Sequence, residues 1–192
     1  MKRIFVTGAP ATGKSTLIEY WKEYLEFKNI KFKIIHDMEA MIKLCPKDVN
    51  SEKYFYDNSG MLVVSEQYRK SIMDQQYKKL SLIWNEPFDG VVIMELSNPD
   101  ISNIVKNYFR INNNDYLVVI KNDSNLMKYR NELRESWRRI PEGFMNLFDK
   151  NSDNNEMLVR KYFTNYEFLE NNLTENIFKR NGINLIIKLL FT

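Results

Sequence analysis

The strongest chemical signal in the chain is the loop at residues 8–16. Its sequence, Gly-Ala-Pro-Ala-Thr-Gly-Lys-Ser-Thr, fits the pattern Gly-x-x-x-x-Gly-Lys-Ser/Thr at every defined position. Gly8 and Gly13 let the backbone turn so that successive N–H groups point inward, toward an anion. Lys14 would place its charge on the β and γ phosphates of a nucleoside triphosphate, and the Ser15 hydroxyl would bind Mg²⁺. The residues predicted to bind this nucleotide are Gly8, Ala9, Pro10, Ala11, Thr12, Gly13, Lys14, Ser15 and Thr16.

The segments on either side of the loop have the character that such a loop requires. Residues 4–6, Ile-Phe-Val, form a short β-prone run before it. Residues 15–28 predict an amphipathic helix after it, and the positive end of that helix's dipole would lie under the bound phosphates. Apolar side chains recur along this helix at i, i+3 and i+4 spacing: Leu17, Tyr20, Trp21, Tyr24 and Leu25.

The rest of the chain alternates between β-prone and helical segments. Four more strands are predicted, over residues 32–35, 91–94, 116–120 and 166–169. This alternation favours an α/β fold, with a parallel sheet of five strands and helices on both faces. The remaining helices are predicted over 39–44, 61–84, 99–109, 125–139, 156–163 and 174–190, the last interrupted near 181–182, with an irregular segment over 141–155.

The composition is that of one domain, expected over residues 1–192. Hydrophobic residues make up 44% of the chain, enough to build a core. The net charge of +3 suits an anionic ligand but is small for a dedicated nucleic-acid binder. The single cysteine, Cys45, excludes an internal disulfide and a cysteine zinc site. No apolar run approaches the roughly 20 residues of a membrane helix, so we expect a cytoplasmic protein.

Two other classes of protein that carry this loop fit the sequence less well. A GTPase would show Asp-x-x-Gly after its third strand and Asn-Lys-x-Asp after its fourth. Here residues 94–96 read Met-Glu-Leu with no Asp-x-x-Gly following, and residues 121–124 read Lys-Asn-Asp-Ser. A motor ATPase usually has an Asp-Glu pair at the end of the third strand and a larger body. The pattern therefore favours a kinase.

In its loop and in the layout of nearly the whole chain, the sequence resembles the P-loop kinases of the nucleoside and nucleotide kinase group. The loop at 8–16 is the specific part of this resemblance. The resemblance implies ATP and Mg²⁺ as cofactors. It also implies a helical lid, here over residues 126–155, and an acceptor-binding or helical insert, here over residues 38–87.

Two carboxylates are the candidate catalytic groups beside Lys14. Asp37 follows the second strand, where the resemblance implies an acidic residue near the acceptor hydroxyl or the metal shell. Glu95 ends the third strand, where the resemblance implies the acidic residue that replaces the Walker B aspartate, so Ser15 and Glu95 are the predicted metal residues. One carboxylate would accept the hydroxyl proton and the other would hold the metal's water shell. The structural alternatives are that Asp37 caps a helix and that Glu95 is an ordinary surface residue.

Arginines supply the third catalytic element. Arg130, Arg134 and Arg138 repeat at i, i+4 and i+8, so they would share one face of the predicted helix, with Arg139 beside them. In the kinase group, lid arginines reach the transferred phosphoryl group, a task that suits a planar, always charged guanidinium. Arg130 and Arg134 are the catalytic candidates. The alternative is a solvated helix face paired with neighbouring glutamates.

Further residues are assigned by position. Residues 166–172 resemble the last strand and loop of the nucleotide kinases, where Asn and backbone contacts line the adenine pocket. Arg69 and Lys70 could hold a phosphate of the acceptor, and His36, the only histidine, is expected to be a structural hydrogen-bonding residue. Aromatic side chains in the acceptor segment could stack on a base or a sugar: Tyr54, Phe55, Tyr56 and Tyr68.

The sequence departs from the best-known members of the group at three points. Residues 95–97 read Glu-Leu-Ser where deoxynucleoside kinases carry Glu-Arg-Ser, which puts a deoxyribonucleoside acceptor in doubt. The Asp-Gly-x-Pro-Arg pattern of adenylate kinase does not occur. Asp37 is followed by Met38 and Glu39, so the paired aspartates of shikimate kinase are also missing.

We therefore expect an ATP- and Mg²⁺-dependent kinase of a small metabolite, with a nucleoside or nucleotide as the favoured acceptor and no membrane partner. A polynucleotide or modified-base nucleic-acid kinase is the alternative that the mildly basic charge permits, and it predicts a strong salt dependence. The third hypothesis is a nucleotide-gated regulatory NTPase that docks a partner protein and has no phosphoryl acceptor.

Overall fold

A computed structural model describes most of the chain and shows a parallel sheet. The described residues are 2–37, 65–97, 101–134, 140, 145, 157, 159–172 and 174–191. All four strand pairings in this sheet are parallel. The order across the sheet is β2-β3-β1-β4-β5. The strands are β1 Lys2–Thr7, β2 Phe32–His36, β3 Val91–Leu96, β4 Asp115–Lys121 and β5 Asn165–Glu170.

Helices cover both faces of the sheet, as predicted. Successive residues of each strand point to opposite faces, so Ile4 and Val6 pack on one side while Phe5 packs on the other. Helices α1 (Lys14–Phe27) and α5 (Glu175–Phe191) pack on the face of Ile4 and Val6. Helices α2 (Glu66–Asn85) and α3 (Ile101–Tyr108) pack on the face of Phe5. None of the helices that the structure describes is long and apolar enough to cross a membrane. Helix α4 covers Ser124–Glu132 and follows β4.

All five predicted strands are present, and their ends extend by one or two residues. Helix α2 begins at Glu66, later than the expected residue 61, because Ser65 is extended and its hydroxyl caps the Tyr68 N–H at 3.1 Å. Near 156–163, residues 159–160 are helical and a turn follows at 161–162. The helix expected over 39–44 and nearly all of the irregular segment over 141–155 lie outside the described residues.

The predicted interruption of the last helix is wrong. Helix α5 runs unbroken through Gly182. There the Trp21 indole N–H donates to the Gly182 carbonyl at 2.7 Å, and a Cβ on Gly182 would lie 2.4 Å from Leu17 Cδ1. The glycine therefore allows α1 and α5 to approach closely, and it is not a break.

The predicted length of the arginine-bearing helix is also wrong, since α4 ends at Glu132. The Asn131 side chain donates to the Ile140 carbonyl at 2.7 Å and accepts from the Ile140 N–H at 2.9 Å. A helix that continued from 131 would place residue 140 about 13 Å away along its axis. Helix α4 therefore does not continue to Ile140.

A buried ion pair ties β1 to β4 at the amino ends of the strands. The Arg3 guanidinium binds both carboxylate oxygens of Asp115, at 2.8 and 2.6 Å, and packs on the Trp84 ring. The Asn112 N–H also donates to Asp115 at 2.8 Å. The two charged side chains are 4% and 3% exposed, so the charge that is left after one is removed would have little access to water.

We expect Asp115→Asn to lower the free energy of unfolding by about 3–5 kcal/mol, because it leaves the buried Arg3 charge uncompensated. Urea unfolding measures this. Glu86→Gln is the matched control, since the Lys33–Glu86 pair is partly solvated and should contribute little. Equal losses in the two variants would contradict the prediction.

Candidate active site

The predicted phosphate loop connects β1 to α1 at the carboxyl edge of the sheet. Three of its residues have a positive φ: Gly8 with φ 151°, Ala11 with φ 63° and Gly13 with φ 97°. Gly13 has to be glycine for a second reason, since a Cβ there would lie 2.5 Å from the Asn171 side-chain nitrogen. The Thr12 hydroxyl closes the turn by donating to the Ala9 carbonyl at 2.8 Å. Such turns make a concave row of N–H groups that suits an anion.

Lys14 folds back over this loop. Its ammonium group donates to the Gly8 carbonyl at 2.9 Å and to the Ala9 carbonyl at 3.0 Å, and the residue is only 6% exposed. The charge is thereby held against the loop before any phosphate arrives. Phosphate oxygens could then replace these carbonyls as its hydrogen-bond acceptors.

Glu95 meets two side chains at the same edge. The Ser15 hydroxyl donates to Glu95 Oε1 at 3.2 Å, and His36 Nδ1 lies 2.6 Å from Glu95 Oε2. The sheet register brings His36 and Glu95 together, because His36 of β2 is paired directly with Glu95 of β3. The structure thus brings Ser15 and Glu95, the two predicted metal residues, into contact.

The surroundings of Glu95 favour its ionised form. Burial alone would raise the pKa of Glu95, but the His36 hydrogen bond, the positive charge of Lys14 and the Ser15 hydrogen bond outweigh burial and hold that pKa below its ordinary value. Glu95 is therefore a carboxylate at neutral pH. Together with the Ser15 hydroxyl it offers two adjacent oxygen donors, the ligand type that Mg²⁺ prefers.

Asp37 lies one residue beyond His36 and is held by two elements. Its carboxylate accepts a hydrogen bond from the Ser97 N–H at 2.6 Å, and its carbonyl accepts one from the Gln76 side chain at 2.7 Å. Asp37 is 2% exposed and Gln76 is fully buried. These contacts join the end of β2 to the end of β3 and to α2, so the Asp37 carboxylate is fixed on the same half of the sheet as Glu95.

Arg130 lies on the other half of the sheet. The Asn122 amide oxygen accepts a hydrogen bond from the Arg130 guanidinium at 2.7 Å, and the amide nitrogen donates to the Lys121 carbonyl. Arg130 also donates to Asn171 at 3.4 Å, and Asn171 in turn donates to the Thr12 carbonyl at 2.7 Å. Arg130 is therefore anchored beside the loop across β1 from Asp37 and Glu95, and the expected common helical face with Arg134 does not form, because α4 ends at Glu132.

Arg134, the next arginine along the chain, does not extend that face. Arg134 follows the end of α4 in a turn, where its N–H donates to the Asn131 carbonyl at 3.2 Å. Arg138 and Arg139 lie outside the described residues, as do Tyr54, Phe55 and Tyr56. The predicted role of Arg134 stays a prediction.

Sequence reasoning missed three contributors to the site: His36 as a partner of Glu95, Gln76 as a partner of Asp37, and Asn122 as a partner of Arg130. All three contacts join residues from different elements. His36 and Asn122 lie just after predicted strands, and this position was the local signal for both, because the carboxyl ends of parallel strands meet at one edge.

Proteins of known structure share this arrangement of strands and helices. Shikimate kinase from Acinetobacter baumannii, solved in complex with shikimate, matches 100% of this chain and 96% of its own with a TM-score of 0.61 at 14% identity. Shikimate kinase from Bacteroides thetaiotaomicron matches 100% of this chain and 99% of its own, with a TM-score of 0.57 at 14% identity. The chain shares the fold of these two kinases. A sugar kinase from Janibacter sp. HTCC2649 also shares it, over 99% of this chain and 94% of its own, with a TM-score of 0.58 at 10% identity.

The predicted fold class, α/β with a parallel five-stranded sheet and helices on both faces, is thereby confirmed. At identities of 10% to 14% the likeness carries the fold and not the substrate. No family model and no curated protein matches the sequence. Most of the lid expected over 126–155, and residues 38–64 of the acceptor insert expected over 38–87, lie outside the described residues. The lid and the insert stay predictions.

Proposed function

We propose that the protein is an ATP- and Mg²⁺-dependent kinase that transfers the γ-phosphoryl group to a small metabolite. One observation carries this proposal. The phosphate loop with Lys14, the Ser15–Glu95 pair and the fixed carboxylate of Asp37 all lie at the carboxyl edge of the β2-β3-β1 half of the sheet. Phosphoryl transfer depends on positioning and on charge stabilisation, and these groups can supply both.

On the donor side, each group has a distinct task. The loop N–H groups and Lys14 bind the phosphate oxygens, and Ser15 with Glu95 would hold Mg²⁺ directly or through its waters. When bound, the ion supplies positive charge that neutralises the β and γ phosphates. Arg130, anchored by Asn122 and Asn171, is proposed to contact the nucleotide from the β4–β5 side.

On the acceptor side, Asp37 is proposed to orient the acceptor hydroxyl and to take its proton, while Glu95 serves the metal. Glu95 already uses one oxygen on Ser15 and one on His36. The assignment leaves Asp37, which directly follows β2 and adjoins the acceptor segment, as the base. The three structural neighbours are by name kinases of shikimate or of a sugar, which supports a small-molecule acceptor.

Helix α2 indicates a feature of that acceptor. Within the described residues, the Arg69 guanidinium has one hydrogen bond, to the Met73 sulfur at 3.1 Å, and its Nε is buried without a partner. The Oε1 of Gln76 is likewise buried without a donor there. Buried polar atoms are normally paired. Arg69 lies two turns from Gln76 on the same side of the helix, about 10 Å along its axis.

This arrangement supports an acceptor that has a hydroxyl near Asp37 and Gln76 and an anionic group near Arg69. Nucleotides and organic acids carry both groups, and we propose a nucleotide as the first to test. Lys70 is the weaker candidate for the anion, because it is exposed and already paired with Glu66 at 2.7 Å.

Arg69→Gln should raise the acceptor KM about tenfold or more and leave the KM for ATP nearly unchanged, since a charge-assisted hydrogen bond to the acceptor is lost. Lys70→Gln, one residue away on the exposed side of α2, is the matched control and should change neither constant. Steady-state kinetics with the acceptor varied at saturating ATP measures this. Equal effects of the two variants would remove Arg69 from the acceptor site.

The experiment that tests the proposed function is ADP release from ATP and Mg²⁺ with a panel of acceptors. The panel holds nucleosides, nucleoside monophosphates, sugars, hydroxy acids, and single- and double-stranded oligonucleotides. We expect one small-molecule class to raise the rate well above the rate with water alone. Stimulation by oligonucleotides alone, falling steeply with salt, would instead show a nucleic-acid kinase. A slow rate that no acceptor changes would show a nucleotide-gated NTPase.

A further inference from the structure

His36 is the only histidine of the chain and lies at the edge of the candidate site. Its side chain is 25% exposed, and its Nδ1 lies 2.6 Å from Oε2 of Glu95, whose side chain is 9% exposed. The pair is held by the backbone, because the two residues face each other in the register of β2 and β3. The contact is thus built into the sheet at the point where the strands end.

The two oxygens of Glu95 are shared between two partners. Oε2 meets His36 Nδ1, and Oε1 accepts from the Ser15 hydroxyl at 3.2 Å. Because both oxygens belong to one rigid carboxylate, fixing Oε2 also fixes the position of Oε1. Without His36, the glutamate side chain could rotate Oε1 away from Ser15.

The tautomer of His36 follows from the same contact. A glutamate is ionised at neutral pH, and an ionised carboxylate only accepts hydrogen bonds. A contact of 2.6 Å therefore requires the proton on Nδ1. The imidazole itself is a poor ligand for Mg²⁺, which prefers oxygen, so His36 acts on the site through Glu95.

We propose that His36 is a positioning residue whose Nδ1–H holds Glu95 so that Oε1 stays beside Ser15 in the orientation that receives the metal. This inference rests on the proposed Mg²⁺–nucleotide site, but not on the identity of the acceptor. Groups that orient a metal ligand typically affect metal affinity by about 10–100-fold.

Three substitutions separate this role from a general structural one. In His36→Asn the side-chain amide nitrogen takes the place of Nδ1. In His36→Gln the same amide lies one carbon further out, at the place of Nε2. His36→Ala removes the donor. We expect Ala and Gln to weaken divalent-metal binding to the protein–ADP complex by about 10–100-fold, and Asn to stay within about threefold of the wild type.

The measurement is binding of Mn²⁺, used as a spectroscopic substitute for Mg²⁺, to the protein–ADP complex by electron paramagnetic resonance. ADP binding in EDTA, followed by calorimetry, should be the same in all four proteins. Urea unfolding shows whether each variant is folded. Wild-type metal affinity in folded His36→Ala, or equal losses in folded Asn and Ala variants, would overturn the inference.

The wild-type protein alone supplies a second test that no variant can obscure. Since the chain has one histidine, its imidazole ¹⁵N signals need no assignment. We expect the proton on Nδ1; a proton on Nε2 alone would overturn the inference. A wild-type protein that binds no ADP and no metal with ADP would overturn the proposed function itself, and the two failures are therefore distinguishable.

Discussion

Replacing Lys14 by alanine should lower ATP turnover by about a thousandfold, the loss typical of removing one preorganised charge donor from the transition state. Lys14 is 6% exposed, and its ammonium group is already held by the loop carbonyls of Gly8 and Ala9. Little reorganisation is then needed when phosphate oxygens take the place of those carbonyls. ADP release under saturating Mg²⁺ and nucleotide binding by calorimetry measure the loss.

Lys22→Ala is the matched control for this variant. Lys22 lies on the same helix, is exposed, and among the described residues has one ion pair, a long 3.5 Å contact with Glu19, so its removal should leave turnover unchanged. Circular dichroism and urea unfolding establish that the Lys14→Ala protein is folded. Normal turnover in folded Lys14→Ala would contradict the assignment of the phosphate loop.

The strands and the loop could be predicted from the sequence because their signals are local. All six residues of β3 are buried, and a continuous apolar run is what a strand covered on both faces requires. The loop is defined by nine consecutive residues. Gly182 shows the limit of such reasoning, since its meaning depends on Leu17 and Trp21 of another helix and not on its neighbours in the chain.

The candidate site could be predicted only where strand ends mark it. Asp37 and Glu95 follow apolar runs, and parallel topology brings such residues to one edge. Nothing in the sequence fixes the register that pairs His36 with Glu95. Periodicity predicts Arg130 on a longer helix. The Asn131–Ile140 contact is incompatible with that longer helix. The Asn122 and Asn171 amides bind the Arg130 guanidinium and so fix its position.

Replacing each carboxylate by its amide should distinguish the role of Asp37 from that of Glu95. Asp37→Asn should lower kcat by about 10²–10⁴-fold, the usual contribution of a general base, and leave the Mg²⁺ dependence unchanged. Glu95→Gln should instead raise the Mg²⁺ concentration needed for half-maximal turnover, because a neutral amide attracts the ion less than a carboxylate does. The measurement is turnover at saturating ATP and acceptor, titrated with Mg²⁺ for each protein.

Each amide variant keeps one hydrogen bond of the carboxylate that it replaces. An asparagine at 37 can still accept the Ser97 N–H that Asp37 accepts at 2.6 Å, and a glutamine at 95 can still accept from Ser15. If Asp37→Asn lowers the free energy of unfolding while kcat stays normal, Asp37 joins the strand ends and is not the base. If the Mg²⁺ dependence shifts in Asp37→Asn and not in Glu95→Gln, the two roles are exchanged. Normal kinetics in both variants would mean that neither carboxylate takes part in the transfer.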